Sequence, residues 1–142
     1  MRMPAKILLG VCAVIGIAAI AWFQLSDDHR GHQSVQRFSD GEEIIIPALT
    51  EVAKLGETTF GENCSMCHGA NAVGTEQGPP LVHIIYEPSH HNDGSFYRAV
   101  AQGVRGHHWR FGNMPPIERV GEEDVTKIIA YVRELQRANG IN

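Results

Sequence analysis

The distribution of apolar positions divides the chain into stretches of different character. Ile7 to Leu25 is almost wholly apolar, with only Gln24 clearly polar near its end. At 1.5 Å per residue these nineteen positions span about 28 Å, close to the roughly 30 Å hydrocarbon core of a bilayer, which predicts a single transmembrane helix. Ser26 to Phe38 is polar and too poor in apolar surface to fold alone, so it reads as a coil-like tether. Ile44-Ile45-Ile46-Pro47 is too short for a helix and is expected to pack on the following domain as an extended arm. The organisation expected is an anchor over 1–25, a tether and arm over 26–47, and a globular domain over 48–142.

From Ala48 the period becomes helical. Leu49, Val52, Gly56, Phe60 and Cys64 recur at spacings of three or four and predict one apolar face, with Thr50 as its cap. Gly56 within that helix costs on the order of 1 kcal/mol relative to alanine, which makes sense if another helix crosses closely there. The expected partner is Glu122 to Ala138, whose stripe is Val125, Ile128, Ile129, Val132 and Leu135, flanked by Tyr131. Acidic Glu122, Glu123 and Asp124 complement the start of this helix, Arg133 and Arg137 complement its end, and Asn139-Gly140 stops it. A shorter helix, capped by Asn92 or Asp93, carries Phe96, Val100 and Ala101 and ends near Gly103. The remainder is loop rich in Gly, Pro and His.

The first helix runs into Cys64-Ser65-Met66-Cys67-His68-Gly69. Two cysteines three positions apart with a histidine immediately after form the pattern of a c-type haem attachment site. The thiols of Cys64 and Cys67 add across the haem vinyl groups, and the imidazole of His68 becomes the proximal iron ligand. A dithiol redox motif does not need His68, and a zinc site needs a second ligand pair that no other cysteine supplies. The remaining cysteine, Cys12, lies in the apolar stretch, so no structural disulfide is available.

Charge and flanks refine the location. Arg2 and Lys6 precede the apolar run, placing that end in the cytoplasm and the remainder across the membrane, at the periplasmic face. The competing reading is a cleaved secretory signal, cut after Ala19-Ile20-Ala21, but the run continues through Trp22, Phe23 and Leu25. Beyond Leu25 stand ten basic and sixteen acidic residues, a formal −6. This argues against nucleic acid and fits docking to a basic patch on a redox protein.

With these residues in view, the chain resembles the small monohaem class I cytochromes c. The likeness rests on Leu55-Gly56 and Phe60 before the attachment motif, then Gly78-Pro79-Pro80-Leu81, Asn113-Met114-Pro115-Pro116 and Tyr131-Val132. It implies an all-α cytochrome c fold wrapped around one covalent haem c, preceded by the membrane helix. It also implies that His68 and Met114 are the axial pair and that the Pro79 carbonyl accepts the N–H of the proximal imidazole. Arg105, Trp109 and Arg110 are the expected contacts to the haem propionates, being donors suited to carboxylates.

Both axial positions then being filled, the expected activity is one-electron transfer rather than catalysis on a small-molecule substrate. Two alternatives stand beside it. In the first, Met114 is displaced and the haem binds peroxide or a gas, with His107-His108 offering another sixth ligand. In the second, His83, His90, His91, His107 and His108 hold copper or zinc. The plainer account of these histidines is packing around the haem edge or solvent exposure, and His29 and His32 read as solvated tether residues.

Overall fold

The structure, a computed structural model, describes residues 34–37 and 43–142. The expected anchor and most of the tether lie outside the described residues. Among those described, no helix is long and apolar enough to cross a membrane. Among the described residues four α-helices carry the fold: α1 (Glu51–Asn63), α2 (Ser65–His68), α3 (Asp93–Gln102) and α4 (Glu122–Ala138). A two-stranded antiparallel ladder, β1 (Ser34–Arg37) and β2 (Glu43–Ile46), precedes them, with Ser34 opposite Ile46 and Arg37 opposite Glu43.

The strand pairing changes the reading of Ser34–Arg37 from coil to strand. β2 is held to α4 by the Asn139 side chain, which accepts from the Ile45 N–H and donates to its carbonyl, both at 2.8 Å. Ile44 is buried, so the arm is anchored and offers β1 an ordered edge. Main-chain pairing needs no apolar content of its own, which is why composition missed it.

α1 and α4 form the core. Thr50 caps α1 by accepting the Ala53 N–H, and its own N–H and hydroxyl donate to the Glu134 carboxylate of α4 at 3.0 and 2.6 Å. At the crossing, a Cβ placed on Gly56 would lie 2.0 Å from the Lys127 carbonyl oxygen. Only a residue without a side chain fits that approach. Phe60 and Tyr131 meet there with ring centroids 5.6 Å apart and planes at 58°. The α4 stripe of Val125, Ile128, Ile129, Val132 and Leu135 is buried as its period requires.

The buried face of α1 is Ala53, Gly56 and Phe60, whereas Val52 is 50% and Leu55 57% exposed. The expected face therefore rotates toward Ala53. The close approach at Gly56 admits small residues on that flank, and Val52 falls on the opposite side of the contact line.

Arg133 also differs from expectation. It was assigned to complement the end of α4, but it is 6% exposed and turns inward. Its guanidinium donates to Asp93 Oδ1 at 2.9 Å, to the Tyr86 carbonyl at 2.9 Å and to Gln136 Oε1 at 2.6 Å, and also to the His91 carbonyl. Gln136, fully buried, donates to the carbonyls of Leu81 and Tyr86. Ile129, Arg133 and Gln136 continue the apolar spacing of α4, so this face was marked in the sequence by polar residues at core-period positions.

Candidate haem site

The attachment motif occupies the end of α1 and the single turn α2. Its shape depends on the segment folded beneath it. The Gly74 N–H donates to the His68 carbonyl at 2.6 Å, the Thr75 hydroxyl donates to the Cys67 carbonyl at 2.6 Å, and the Thr75 N–H donates to the Gly78 carbonyl at 3.0 Å. Gly69 has φ +76°, and a Cβ there would meet the Gly74 oxygen at 2.4 Å. These contacts carry the chain back until Pro79 faces the histidine.

His68 Nδ1 lies 2.9 Å from the Pro79 carbonyl. A carbonyl only accepts, so Nδ1 carries the proton and Nε2 is the bare nitrogen. Burial lowers the pKa of His68, opposed in part by this hydrogen bond, and favours the neutral imidazole. A neutral ring with a fixed tautomer is what an iron ligand requires. Cys64 and Cys67 are half-buried and not joined to each other. Burial pushes the Cys64 thiol up to about 11, with the Arg119 charge pulling the other way and Cys67 adding to the rise.

The second loop, residues 105–113, is closed by a main-chain bridge between Val104 and Met114, whose N–H groups donate to each other's carbonyls at 3.0 and 2.9 Å. Asn113 Oδ1 accepts the Gly106 N–H at 3.0 Å and braces the loop across its width. Met114 is half-buried at the loop's end. Arg105 and Arg110 are exposed on it, while Trp109 is half-buried. The indole N–H of Trp109 is buried, lies near the Tyr86 hydroxyl and makes no hydrogen bond of good geometry among the described residues. Its ring meets His83 edge-on, with centroids 5.1 Å apart.

The structure thus gathers Cys64, Cys67, His68 and Pro79 in one unit and places Arg105, Trp109, Arg110 and Met114 on another. Between them in sequence, Leu81, Val82, Phe96 and Val100 are only partly buried against the core, as is Ile117 just beyond Met114, and α3 buries none of its side chains fully. Two thiols, a neutral imidazole with one bare nitrogen, partly uncovered apolar surface and a buried indole donor suit a porphyrin that carries carboxylates.

The family model for cytochrome c matches residues 53–136. The chain belongs to the cytochrome c family. This cytochrome c has one attachment motif, and its cofactor is covalent haem c. Over 89 residues it is 36% identical to the cbb3-type cytochrome c oxidase subunit CcoP of Rubrivivax gelatinosus, covering 59% of this chain and 26% of that protein. The chain spans about a quarter of the length of that relative. Cytochrome cL from the marine methylotrophic bacterium Methylophaga aminisulfidivorans, a solved structure, is similar with a TM-score of 0.46 and 30% identity, over 58% of this chain and 52% of that one.

Residues that sequence reasoning did not assign to the neighbourhood are Arg133 and Gln136, which grip the main chain of 81–91. Of His83, His90, His91, His107 and His108, which the sequence offers as a group, the fold makes the ring nitrogens of His90, His91 and His108 converge. His91 Nδ1 donates to the Ile85 carbonyl at 2.7 Å, and His90 Nε2 stands 3.4 Å from His108 Nε2. Desolvation lowers the pKa of His91, and the Ile85 bond opposes it; neighbouring charges at His90, His107 and Arg133 add to the lowering.

Proposed function

We propose that this cytochrome c is a one-electron carrier held at the periplasmic face of a membrane, as a tethered shuttle or as the haem subunit of a redox complex. Cys64 and Cys67 would attach the haem, His68 Nε2 and Met114 Sδ would hold its iron, and Trp109 would donate to a propionate, with Arg105 and Arg110 beside it. Haem c so held would supply one-electron redox chemistry, and with both protein donors in place its iron would have no position open to a substrate. The observation that carries this reading is the hydrogen bond from His68 Nδ1 to Pro79, which fixes the tautomer and leaves Nε2 bare for a metal.

A thioether donor favours ferrous iron, so histidine with methionine raises the potential above that of two histidines. Residues 7–25 would supply the membrane anchor, and the acidic surplus beyond Leu25 suits brief encounters with a basic partner surface. The similarity to a cbb3-type oxidase subunit supports a place beside a membrane oxidase or reductase.

The axial assignment is tested by Met114→Ala. The variant should lose the weak near-infrared sulfur-to-iron band, show a lower potential and admit carbon monoxide to the ferrous form at neutral pH, where the native protein should not bind it. An unchanged band and potential would overturn Met114 as the ligand. Prompt, complete carbon monoxide binding by the native protein would instead favour a haem that reacts with gases or peroxide.

A further inference from the structure

Apart from the haem ligands, one cluster of metal-ligating side chains stands out among the described residues: His90, His91 and His108. One ring nitrogen from each lies within 4.8 Å of the other two. His90 and His91 come from the turn that precedes α3, and His108 from the middle of the loop that ends at Met114. The rings meet in pairs, with centroids 4.6 Å apart for His90 and His91, 5.3 Å for His91 and His108, and 5.3 Å for His90 and His108.

The spacing has a chemical meaning. Two imidazole nitrogens at tetrahedral positions around zinc, each about 2.05 Å from the ion, are about 3.3 Å apart. His90 Nε2 and His108 Nε2 are separated by 3.4 Å. His91 is set up in the way metal-binding histidines are, since Nδ1–H is committed to the Ile85 carbonyl and Nε2 is left bare. Its main chain is fixed as well, because the Arg133 guanidinium donates to the His91 carbonyl. No carboxylate belongs to the cluster, and a purely imidazole donor set selects borderline transition metals over magnesium or calcium.

We propose that His90, His91 and His108 bind one divalent transition-metal ion, Zn2+ or Cu2+, through three imidazole nitrogens, with the fourth position left to water or an external donor. His107 stays outside this set: its ring nitrogens do not converge with the other three, and its ring packs on His108, centroids 4.2 Å apart. The site joins two segments of the chain. One is pinned to α4 by Arg133, and the other carries Trp109 and closes at the Val104–Met114 bridge. A bound ion therefore clamps the loop that presents Met114.

The test is titration of the full-length, haem-loaded protein with Zn2+, followed by calorimetry after chelator treatment and dialysis. Zn2+ is redox-inert and leaves the oxidation state of the haem alone. One ion per chain is expected, with affinity reduced at least about tenfold in His90→Ala and in His108→Ala. Both side chains are exposed, so these variants keep the fold, and their haem spectra verify it. His83→Ala and the double variant His29→Ala/His32→Ala should bind as the native chain does. Zinc-edge X-ray absorption should show a nitrogen shell at about 2.0 Å with imidazole scattering. Lack of stoichiometric binding, undiminished binding in His90→Ala and His108→Ala, or loss in His29→Ala/His32→Ala would each overturn the site.

Discussion

The crossing of α1 and α4 and the segment from Leu81 to Met114 are built on opposite principles. At the crossing, apolar side chains meet apolar side chains, Gly56 lets the backbones approach, and Phe60, Tyr131, Val132 and Leu135 are at most 1% exposed. In the second region no side chain of α3 is fully buried, and order comes from polar groups that hold main-chain atoms: Arg133 on Tyr86 and His91, Gln136 on Leu81 and Tyr86, and Asn113 on Gly106. The first region is complete as a protein core. The second is a frame whose apolar and donor groups await partners other than protein.

The largest expected effect falls on the crossing. Gly56→Val would drive a branched side chain into the Lys127 carbonyl, a backbone atom that cannot swing aside, and force the helices apart. A loss of about 4 kcal/mol is expected in denaturant unfolding. A loss under about 1 kcal/mol would mean that the crossing is looser than its geometry.

Arg133→Ala comes next and acts on the other region. It leaves the His91 carbonyl and Gln136 Oε1 without their donor, the Tyr86 carbonyl with Gln136 alone and Asp93 without its ion pair, and should cost about 3 kcal/mol. Amide hydrogen exchange should quicken over 83–93 while 53–60 stays protected. Equal quickening in both would show that the regions are one cooperative unit and break the contrast.

The smallest effect is on Tyr131, whose hydroxyl donates to Asn71 Oδ1 at 3.0 Å. Tyr131→Phe should cost about 1 kcal/mol near neutral pH. Burial, with the Glu57 charge adding to it, raises the phenol's pKa above its ordinary value. The folded protein therefore keeps a proton that the unfolded chain releases above about pH 10, and stability falls as pH rises through that range. The variant lacks this titration, so the gap between the two proteins should narrow on going from pH 9 to about pH 11. A constant gap would place the phenol in a less buried setting.

The sequence by itself determined the haem cofactor, the span of α4 and the glycine at the crossing. The attachment motif is a local covalent requirement, α4 writes its buried stripe in a repeating period, and a mid-helix glycine with no turn to serve implies a close neighbour. Which flank of α1 is buried, and therefore why Ala53 is inside and Val52 outside, depended on how α4 seats against Gly56. Arg133 looked like a helix-end charge because local spacing does not show which carbonyls another segment brings within reach. The pairing of β1 with β2 needed only main-chain groups, which composition does not register. His90 and His91 stand 17 or more positions from His108, and only the folding of the loop closed at Met114 makes neighbours of them. Local chemistry and periodicity are legible in a chain because they act over a few residues; contacts between distant polar groups are decided by the tertiary fold that brings them together.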